Sequence, residues 1–526
     1  METANIRTHH QRATSLEKRD FSVRSDLPEL ELSYRLSTGV PQLDEIMQGG
    51  YIPQRSYMIR GDPGAGKTTM GLHFLVAGAA RGEMTLYITV AESEEHIRKN
   101  ASSIGLNLKN IAFLDLSTNT EFLTEIELSP SPLVQEHGKS ISISEMIIQQ
   151  IKELKPQRVF LDSMTQLRLI SPDSFQLRKQ VIAFLHFLIE QEATVLFTSE
   201  SIDDSAENDL LVVCDGVINL RSAKAGRTIS ITKFRGSDFS NGEHDMQLTG
   251  EGLQVFPRLV LQTIDLEFEH QAISSGIPEL DEMLHGGLNR GTITIITGPS
   301  GVGKTTLGLQ FMKEMAGRGE HSIVYIFEEW KQVLINRCES LNIPIRSMIE
   351  NGTFSIGQIE PLHYRPDEFA YKVRCDIERQ KTAIVMIDSV SGYGLSINAE
   401  VLVRHLHALC KYLQGIGVAV LLINETETIT TDEFRATDLG ISYVADNILF
   451  LRYFERGGEM RKGIGVLKKR LTDFEQTMRE MEITRYGLKI GKPLAEMRDI
   501  LRIPYLGSDS IREKPSRTRS RTRGGW

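Results

Sequence analysis

Short runs of apolar, often β-branched residues recur along the chain, separated by stretches whose apolar positions return every three or four residues. The first pattern predicts buried strands and the second predicts amphipathic helices. In the first half, residues 56–60, 84–90, 111–115, 158–162 and 193–198 read as strands, while 94–104, 144–154 and 176–191 read as helices. Residues 216–220 and 228–235 read as a hairpin-like pair. The second half repeats the order, with strands at 292–297, 322–327, 383–388 and 418–423, then 447–451 and 462–470. Strands alternating with helices predict an α/β fold with mostly parallel central sheets. In such sheets phosphate ligands bind beyond the strand C-termini.

The repetition is close. Gly61 to Thr68 and Gly298 to Thr305 both fit G-x-x-x-x-G-K-[ST], and the second begins 237 residues after the first. The same offset places Thr38 to Glu45 over Ser275 to Glu282, Gly49 and Gly50 over Gly286 and Gly287, and Arg81 to Glu83 over Arg318 to Glu320. A repeat this long is a duplicated domain, because solenoid periods run about 20–50 residues. Expected boundaries are a flexible extension over 1–34, domains over 35–260 and 261–500, and a basic flexible tail over 501–526.

Each motif follows a predicted strand and opens a predicted helix, the context a P-loop requires. Gly61, Gly64 and Gly66 in one loop, and Gly298, Gly301 and Gly303 in the other, let backbone N–H groups close on phosphates. Lys67 and Lys304 then reach the phosphate oxygens, Thr68 and Thr305 can hold Mg²⁺, and Thr69 and Thr306 continue the ATP-binding turn. Asp162 and Asp388 end apolar strands at the distance expected of Walker B carboxylates, which order Mg²⁺ and its waters. An aspartate capping the next helix is the alternative reading.

Phosphoryl transfer also needs a carboxylate for the nucleophile and cations against developing charge. Glu328 and Glu329 end a strand expected to lie beside the P-loop strand or one removed from it. The aligned pair in the first half is Ala91 and Glu92, so that site handles its nucleophile differently. Lys233 with Arg235, and Lys468 with Arg470, stand two apart at late strand ends and so share a face. Their distance from their own P-loops suits cations given to a neighbouring subunit. A helix-cap role for the acids and a solvated strand end for the cations are the plainer alternatives.

Composition sets limits. The chain has 526 residues, 40% hydrophobic and 25% charged, with a formal net charge of −9, so it lacks the basic footprint of a nucleic-acid binder. The four cysteines, Cys214, Cys338, Cys375 and Cys410, are scattered, which suggests a reduced cytoplasmic protein without a zinc site. No apolar run approaches the roughly 18–20 residues that span a bilayer, and no apolar signal core is expected at the start.

On the doubled P-loops, the acid pair, the Asp-Ser ends of both Walker B strands and the K-x-R strands, the chain over about residues 36–490 resembles the KaiC family. These are tandem RecA-like ATPases that include a clock autokinase. The resemblance implies a double-ring homohexamer with ATP between subunits, hydrolysis in the first ring, and autophosphorylation in the second. It implies Glu92 as the remaining acid of the first ring, Glu328 and Glu329 as acids of the second, and Lys233, Arg235, Lys468 and Arg470 as trans-acting cations. Ser442 matches the acceptor serine, Tyr443 stands where a threonine is usual, and Thr437 is a reserve acceptor. Ala91 and Leu471 depart from the family pattern, and the tail differs from the clock protein's partner-binding tail, so timekeeping does not follow. A signalling protein is a further candidate partner. The competing readings are a RecA/RadA-like DNA-dependent ATPase, against which the net acidity argues, and an ATP-gated scaffold without turnover.

Overall fold

Two nine-stranded sheets form the centres of the two halves in the computed structural model. The structure describes residues 34–117, 143–164, 174–200, 210–224, 226–259, 271–395, 399–426 and 441–494. The expected N-terminal extension, a loop holding Pro130 and Pro132, Thr437 and the basic tail lie outside the described residues.

The first half runs α1 (Pro41–Ile46), β1 (Ser56–Gly61), α2 (Lys67–Ala80), β2 (Thr85–Thr89), α3 (Glu94–Ser103), β3 (Ala112–Asp115), α4 (Ile143–Leu154), β4 (Arg158–Asp162), α5 (Ser174–Glu190) and β5 (Thr194–Glu200). It ends with β6 (Gly216–Ala223), β7 (Gly226–Phe234), β8 (Glu243–Thr249) and β9 (Gly252–Phe256). The second half opens with β10 (Ala272–Ile273), α6 (Pro278–Met283), β11 (Leu288–Asn289), β12 (Ile293–Gly298), α7 (Lys304–Gly317), β13 (Ser322–Ile326), α8 (Lys331–Ser340), α9 (Ile345–Glu350) and β14 (Phe354–Gln358). It continues with α10 (Pro366–Gln380), β15 (Ile384–Asp388), α11 (Val390–Gly394), α12 (Ala399–Gly415), β16 (Ala419–Glu425), β17 (Asn447–Arg456), β18 (Glu459–Lys469), β19 (Arg479–Thr484) and β20 (Gly487–Pro493).

The first sheet has the order β3-β2-β4-β5-β1-β6-β7-β8-β9 and the second β14-β13-β15-β16-β12-β17-β18-β19-β20. In each, six strands are parallel and the last three add on antiparallel. This is the α/β architecture that the alternating pattern predicts. Side-chain alternation divides the layers: Tyr87, Phe160 and Leu196 meet Met70 and Phe74 of α2 on one face. Leu86, Val159, Leu161 and Phe197 meet Ile151 of α4 and Leu185 of α5 on the other. In the two large sheets, strands β8, β9, β14, β19 and β20 escape the sequence reading, as do the short β10 and β11 outside them. Those in the large sheets lie at or near the sheet edges and carry polar residues on one face, so they lack the continuous apolar run of a strand buried on both sides.

The repeated segment before each P-loop has a local reason. Asp44 accepts the Ser37 hydroxyl at 2.6 Å and the Thr38 N–H at 2.7 Å, and Asp281 accepts the Ser275 N–H at 2.8 Å and the Ser274 hydroxyl. The two halves differ farther on. Arg158, with no side-chain exposure, pairs with Glu83 and donates to Ser37 O at 2.7 Å and Phe74 O at 2.9 Å. In the second sheet Ile384 holds the corresponding place beside Ser322, and Glu320 pairs with Arg290 instead. The halves touch where α10 packs against β8 and β9, with Arg365 and Asp245 at 2.9 Å and Arg374 and Glu45 at 2.7 Å.

Removing one member of a buried ion pair leaves the other charge unpaired, at a cost of about 3–5 kcal/mol. Arg158→Met should therefore lower stability in urea titration by about that amount, and adding Glu83→Gln should recover part of the loss. A loss under about 1 kcal/mol would show that Arg158 does not anchor the first domain.

Candidate nucleotide sites

Both P-loops have a backbone that suits anions. Gly66 and Gly303 sit at φ 108° and 116°, in the left-handed region, and lead directly into α2 and α7. Gly61 and Gly298 approach the next strand so closely that a Cβ would fall 2.3 Å from Leu220 O and Leu451 O. The helix N-termini carry partial positive charge at the same place.

Each P-loop lysine folds back over its loop. Lys67 Nζ donates to Gly61 O at 2.6 Å and Asp62 O at 3.0 Å; Lys304 Nζ donates to Gly298 O at 2.9 Å and Pro299 O at 2.8 Å. Burial lowers the Lys304 pKa, and the nearby Glu425, Asp388 and Glu328 oppose that shift. Phosphate oxygens can replace these carbonyls as acceptors, so the loops fit ATP. Thr69 and Thr306 lie in the first turns of the two helices, and Thr306 is buried against the cavity of the second site.

Asp162 and Asp388, read from the sequence as Walker B carboxylates, lie against the P-loop threonines. Thr68 Oγ1 donates to Asp162 at 2.6 Å and Thr305 Oγ1 to Asp388 at 2.7 Å. A hydroxyl beside a carboxylate is the all-oxygen donor set that Mg²⁺ prefers. Burial raises the Asp388 pKa, and the hydrogen bond from Thr305 opposes it.

The second site is a cavity of about 490 Å³ lined by Lys304, Thr305, Glu328, Glu329, Arg337 and Asp388, among others. One expectation about it needs correction. The strand before Glu328 is not beside β12 or one strand away, since β16 and β15 both intervene. Glu328 still reaches the cavity because α7 lies across β12, β13, β15 and β16, so the site runs along several strand ends.

The two glutamates have different partners. Ser389, buried at the start of α11, donates to Glu328 at 2.8 Å and accepts the Gly392 N–H at 3.0 Å. Arg337 of α8 donates to Glu329 at 2.8 Å. Among the described residues Glu328 makes no ion pair; it is held by a hydroxyl and faces solvent. Ser389, Arg337 and Glu425 complete the site although motif reading did not assign them to it. Arg337 lies two helical turns after Glu329, a spacing that placed no motif. In the first half Ala91 and Glu92 are both exposed, and Glu92 contributes its carbonyl to Thr89 Oγ1 at 2.6 Å.

In each K-x-R pair the two cations donate into one short backbone segment, and Arg235 and Arg470 fall just past the ends of β7 and β18. Lys233 donates to Leu211 O at 2.7 Å and Val212 O at 3.1 Å, and Arg235 donates to Val212 O at 3.1 Å. Lys468 donates to Ser442 O at 3.2 Å and Ala445 O at 2.6 Å, and Arg470 to Tyr443 O at 3.4 Å. Burial lowers the Lys468 pKa, and the Arg470 charge adds to that. Neither Lys468 nor Arg470 lines the cavity beside Lys304. The 3₁₀ turn Ile441–Tyr443 carries the candidate acceptor Ser442, half-buried, beside the exposed Tyr443. At the matching place before β6 the first half has Leu211 and Val212, which carry no hydroxyl.

Comparison with known proteins agrees with this geometry. The family model described as "ATPase: KaiC" matches the chain twice, over residues 36–260 and 273–495. The circadian clock oscillator protein KaiC of Parasynechococcus marenigrum is 29% identical over 500 residues, covering 92% of this chain and 95% of that protein. The circadian clock protein KaiC3 of Synechocystis is 28% identical over 482 residues, covering 89% and 94%. KaiC2 of the same organism is 27% identical over 464 residues, covering 86% and 80%. With a KaiC domain in each half, the chain belongs to the KaiC family of ATPases.

Proposed function

We propose that this chain is an ATP-hydrolysing autokinase that works as a ring of identical subunits, a homohexamer, with nucleotide bound between neighbours. Domains over 35–260 and 261–500 would form the two tiers. The observation that carries this reading is a division of parts. The second cavity holds Lys304, Asp388 and an acid, Glu328, aimed by Ser389, while the cations Lys468 and Arg470 lie away from it, on the turn that bears Ser442. A neighbouring copy would bring that turn and its cations to the cavity.

In this reading Lys304 and the loop N–H groups hold the phosphates of ATP. Thr305 and Asp388 would hold Mg²⁺, which when bound neutralises charge on the β- and γ-phosphates. Glu328 accepts the proton of the attacking Ser442 hydroxyl, or of a water in hydrolysis. Lys468 and Arg470 of the neighbour offset charge on the transferring group. Leu211 and Val212 put no hydroxyl at the place of Ser442 in the first half, so transfer is assigned to the second half. A phenol oxygen extends several ångströms beyond a threonine hydroxyl, and in-line transfer tolerates little misplacement, so Tyr443 is not the acceptor. The expected state is cytoplasmic, with a signalling protein rather than nucleic acid as partner.

Three outcomes follow. Ser442→Ala should abolish incorporation of labelled phosphate while ATP hydrolysis stays measurable; a phosphopeptide map that places label only on Tyr443 would refute the assignment. Arg470→Ala and Lys304→Ala subunits should each be inactive in phosphate incorporation, since such a cation is worth roughly 10³–10⁵ in rate. Mixed rings should recover part of it, and no recovery in rings shown to be mixed counts against trans action. Nucleotide between subunits stabilises the assembled state by mass action. Lys67→Ala should accordingly elute as smaller species in size-exclusion chromatography with ATP, and an intact hexamer would remove the first P-loop from assembly.

A further inference from the structure

The two sites hold their Walker B aspartates differently. Asp162 accepts three hydroxyls: Thr68 at 2.6 Å, Tyr87 at 3.1 Å and Thr198 at 2.6 Å. Tyr87 is 1% exposed, with its ring stacked on Phe113 and edge-on to Phe160, so its phenol is fixed toward Asp162. Thr198 is fully buried on β5. Strand register aligns these positions with the second half. Tyr87 stands two residues before Thr89, which faces Asp162, and Val324 stands two before Ile326, which faces Asp388. Thr198 follows Phe197, the partner of Leu161, and Ile423 is the partner of Asp388. Val324 and Ile423 carry no donor.

On the nucleophile side the difference reverses. Glu328, held by Ser389, and Arg337, paired with Glu329, have Ala91 just after β2 and Asn100 in α3 at the aligned positions, while Glu92 stands in the place of Glu329. Ser163 therefore has no carboxylate at the place where Ser389 finds Glu328. One half has a metal-side carboxylate locked by two additional hydroxyls and keeps Glu92 but not the counterpart of Glu328; the other has both acids and a less constrained carboxylate.

We propose that the first-half site is a retention site, which holds magnesium-bound ATP and turns it over far more slowly than the second, with Tyr87 and Thr198 as positioning residues for Asp162. Hydrogen bonds to the charged carboxylate stabilise it, and a carboxylate already ordered loses little freedom when a cation arrives. Ala91 puts a methyl group where the second half has Glu328, so the acid that Ser389 aims in the second site has no counterpart here, and Glu92 alone remains to take the proton of an attacking water. The inference rests on the first P-loop being a nucleotide site.

The test uses full-length Lys304→Ala protein, in which only the first-half site is expected to bind, loaded with ATP and Mg²⁺, freed of excess nucleotide and quenched in acid. Chromatography should recover ATP after hours. Bound ADP would overturn retention, and no bound nucleotide would overturn the reading of the first P-loop as well. Wild-type protein provides the same test without substitution, since about half of its bound nucleotide should remain ATP after the rest has become ADP. Ala91→Glu in the Lys304→Ala background should convert the retained ATP to ADP and phosphate at least about tenfold faster, the water proton passing to the introduced carboxylate. An unchanged rate counts against the assignment of the missing acid.

Positioning has a separate readout. Tyr87→Phe and Thr198→Val should each raise the Mg²⁺ concentration needed to retain a fluorescent ATP analogue by about tenfold, whereas Thr198→Ser should keep the wild-type requirement. A lowered melting temperature with an unmoved Mg²⁺ titration would make both residues merely structural and overturn their role.

Discussion

A hydroxyl–carboxylate hydrogen bond joins each P-loop helix to the sheet beneath it. Thr68 reaches Asp162 across 94 residues of sequence, and Thr305 reaches Asp388 across 83. Both partners sit at element ends, the threonine in the first turn of a helix and the aspartate at the last residue of a strand. The bond therefore fixes how far along the sheet the helix stands, and so where the phosphate loop opens relative to the strand ends. It also lends two half-buried oxygen groups a mutual partner, without which each would carry a desolvation penalty. The lysine fold-back, the glycine cradle and the acid at the end of β13 all take their positions from this frame.

Duplication preserved that frame and let its surroundings drift. The first half has a fully buried arginine, Arg158, tied to Glu83, where the second has an apolar Ile384 and an arginine on a different element, Arg290, with Glu320. The helix glycine against the sheet followed the same course. Gly71 lies under the Phe160 ring and Gly308 under the Met386 sulfur, because each helix must approach its Walker B strand too closely for a side chain. The large neighbour changed identity while the contact persisted.

The halves also meet through charge. Along α10, Arg365 pairs with Asp245 at 2.9 Å, and Asp367 lies close enough to Asp245 for its N–H to donate at 3.3 Å. Burial pushes the Asp245 carboxyl up to about 6, with the charge of Asp367 adding to the shift and Arg365 opposing it. Asp245, Asp367 and Arg365, with Arg374 farther along α10 and its partner Glu45, give the junction a polar character unlike the apolar interior of either sheet. This is how contacts between domains of one chain usually differ from domain cores.

The sequence by itself determined the strands buried on both faces, the two phosphate loops and the duplication, because each depends on local chemistry. A strand covered on both sides needs an unbroken apolar run, and a phosphate loop needs glycines at fixed spacing before a lysine and a hydroxyl. It also marked Glu328 and the K-x-R pairs as candidates. Tertiary structure alone decided which groups meet. The strand order put two strands between β13 and β12, so Glu328 enters the cavity by the lie of α7 rather than as a neighbour of the P-loop strand. It set Ser389 on Glu328, Arg337 on Glu329, and Tyr87 and Thr198 on Asp162. None of these pairs is close in sequence except Arg337 with Glu329, and a hydroxyl within a strand carries no local signal of what it will face. The outer strands β8, β9, β19 and β20 stayed unread because their polar faces break the apolar pattern, and antiparallel pairing on the sheet holds them in place.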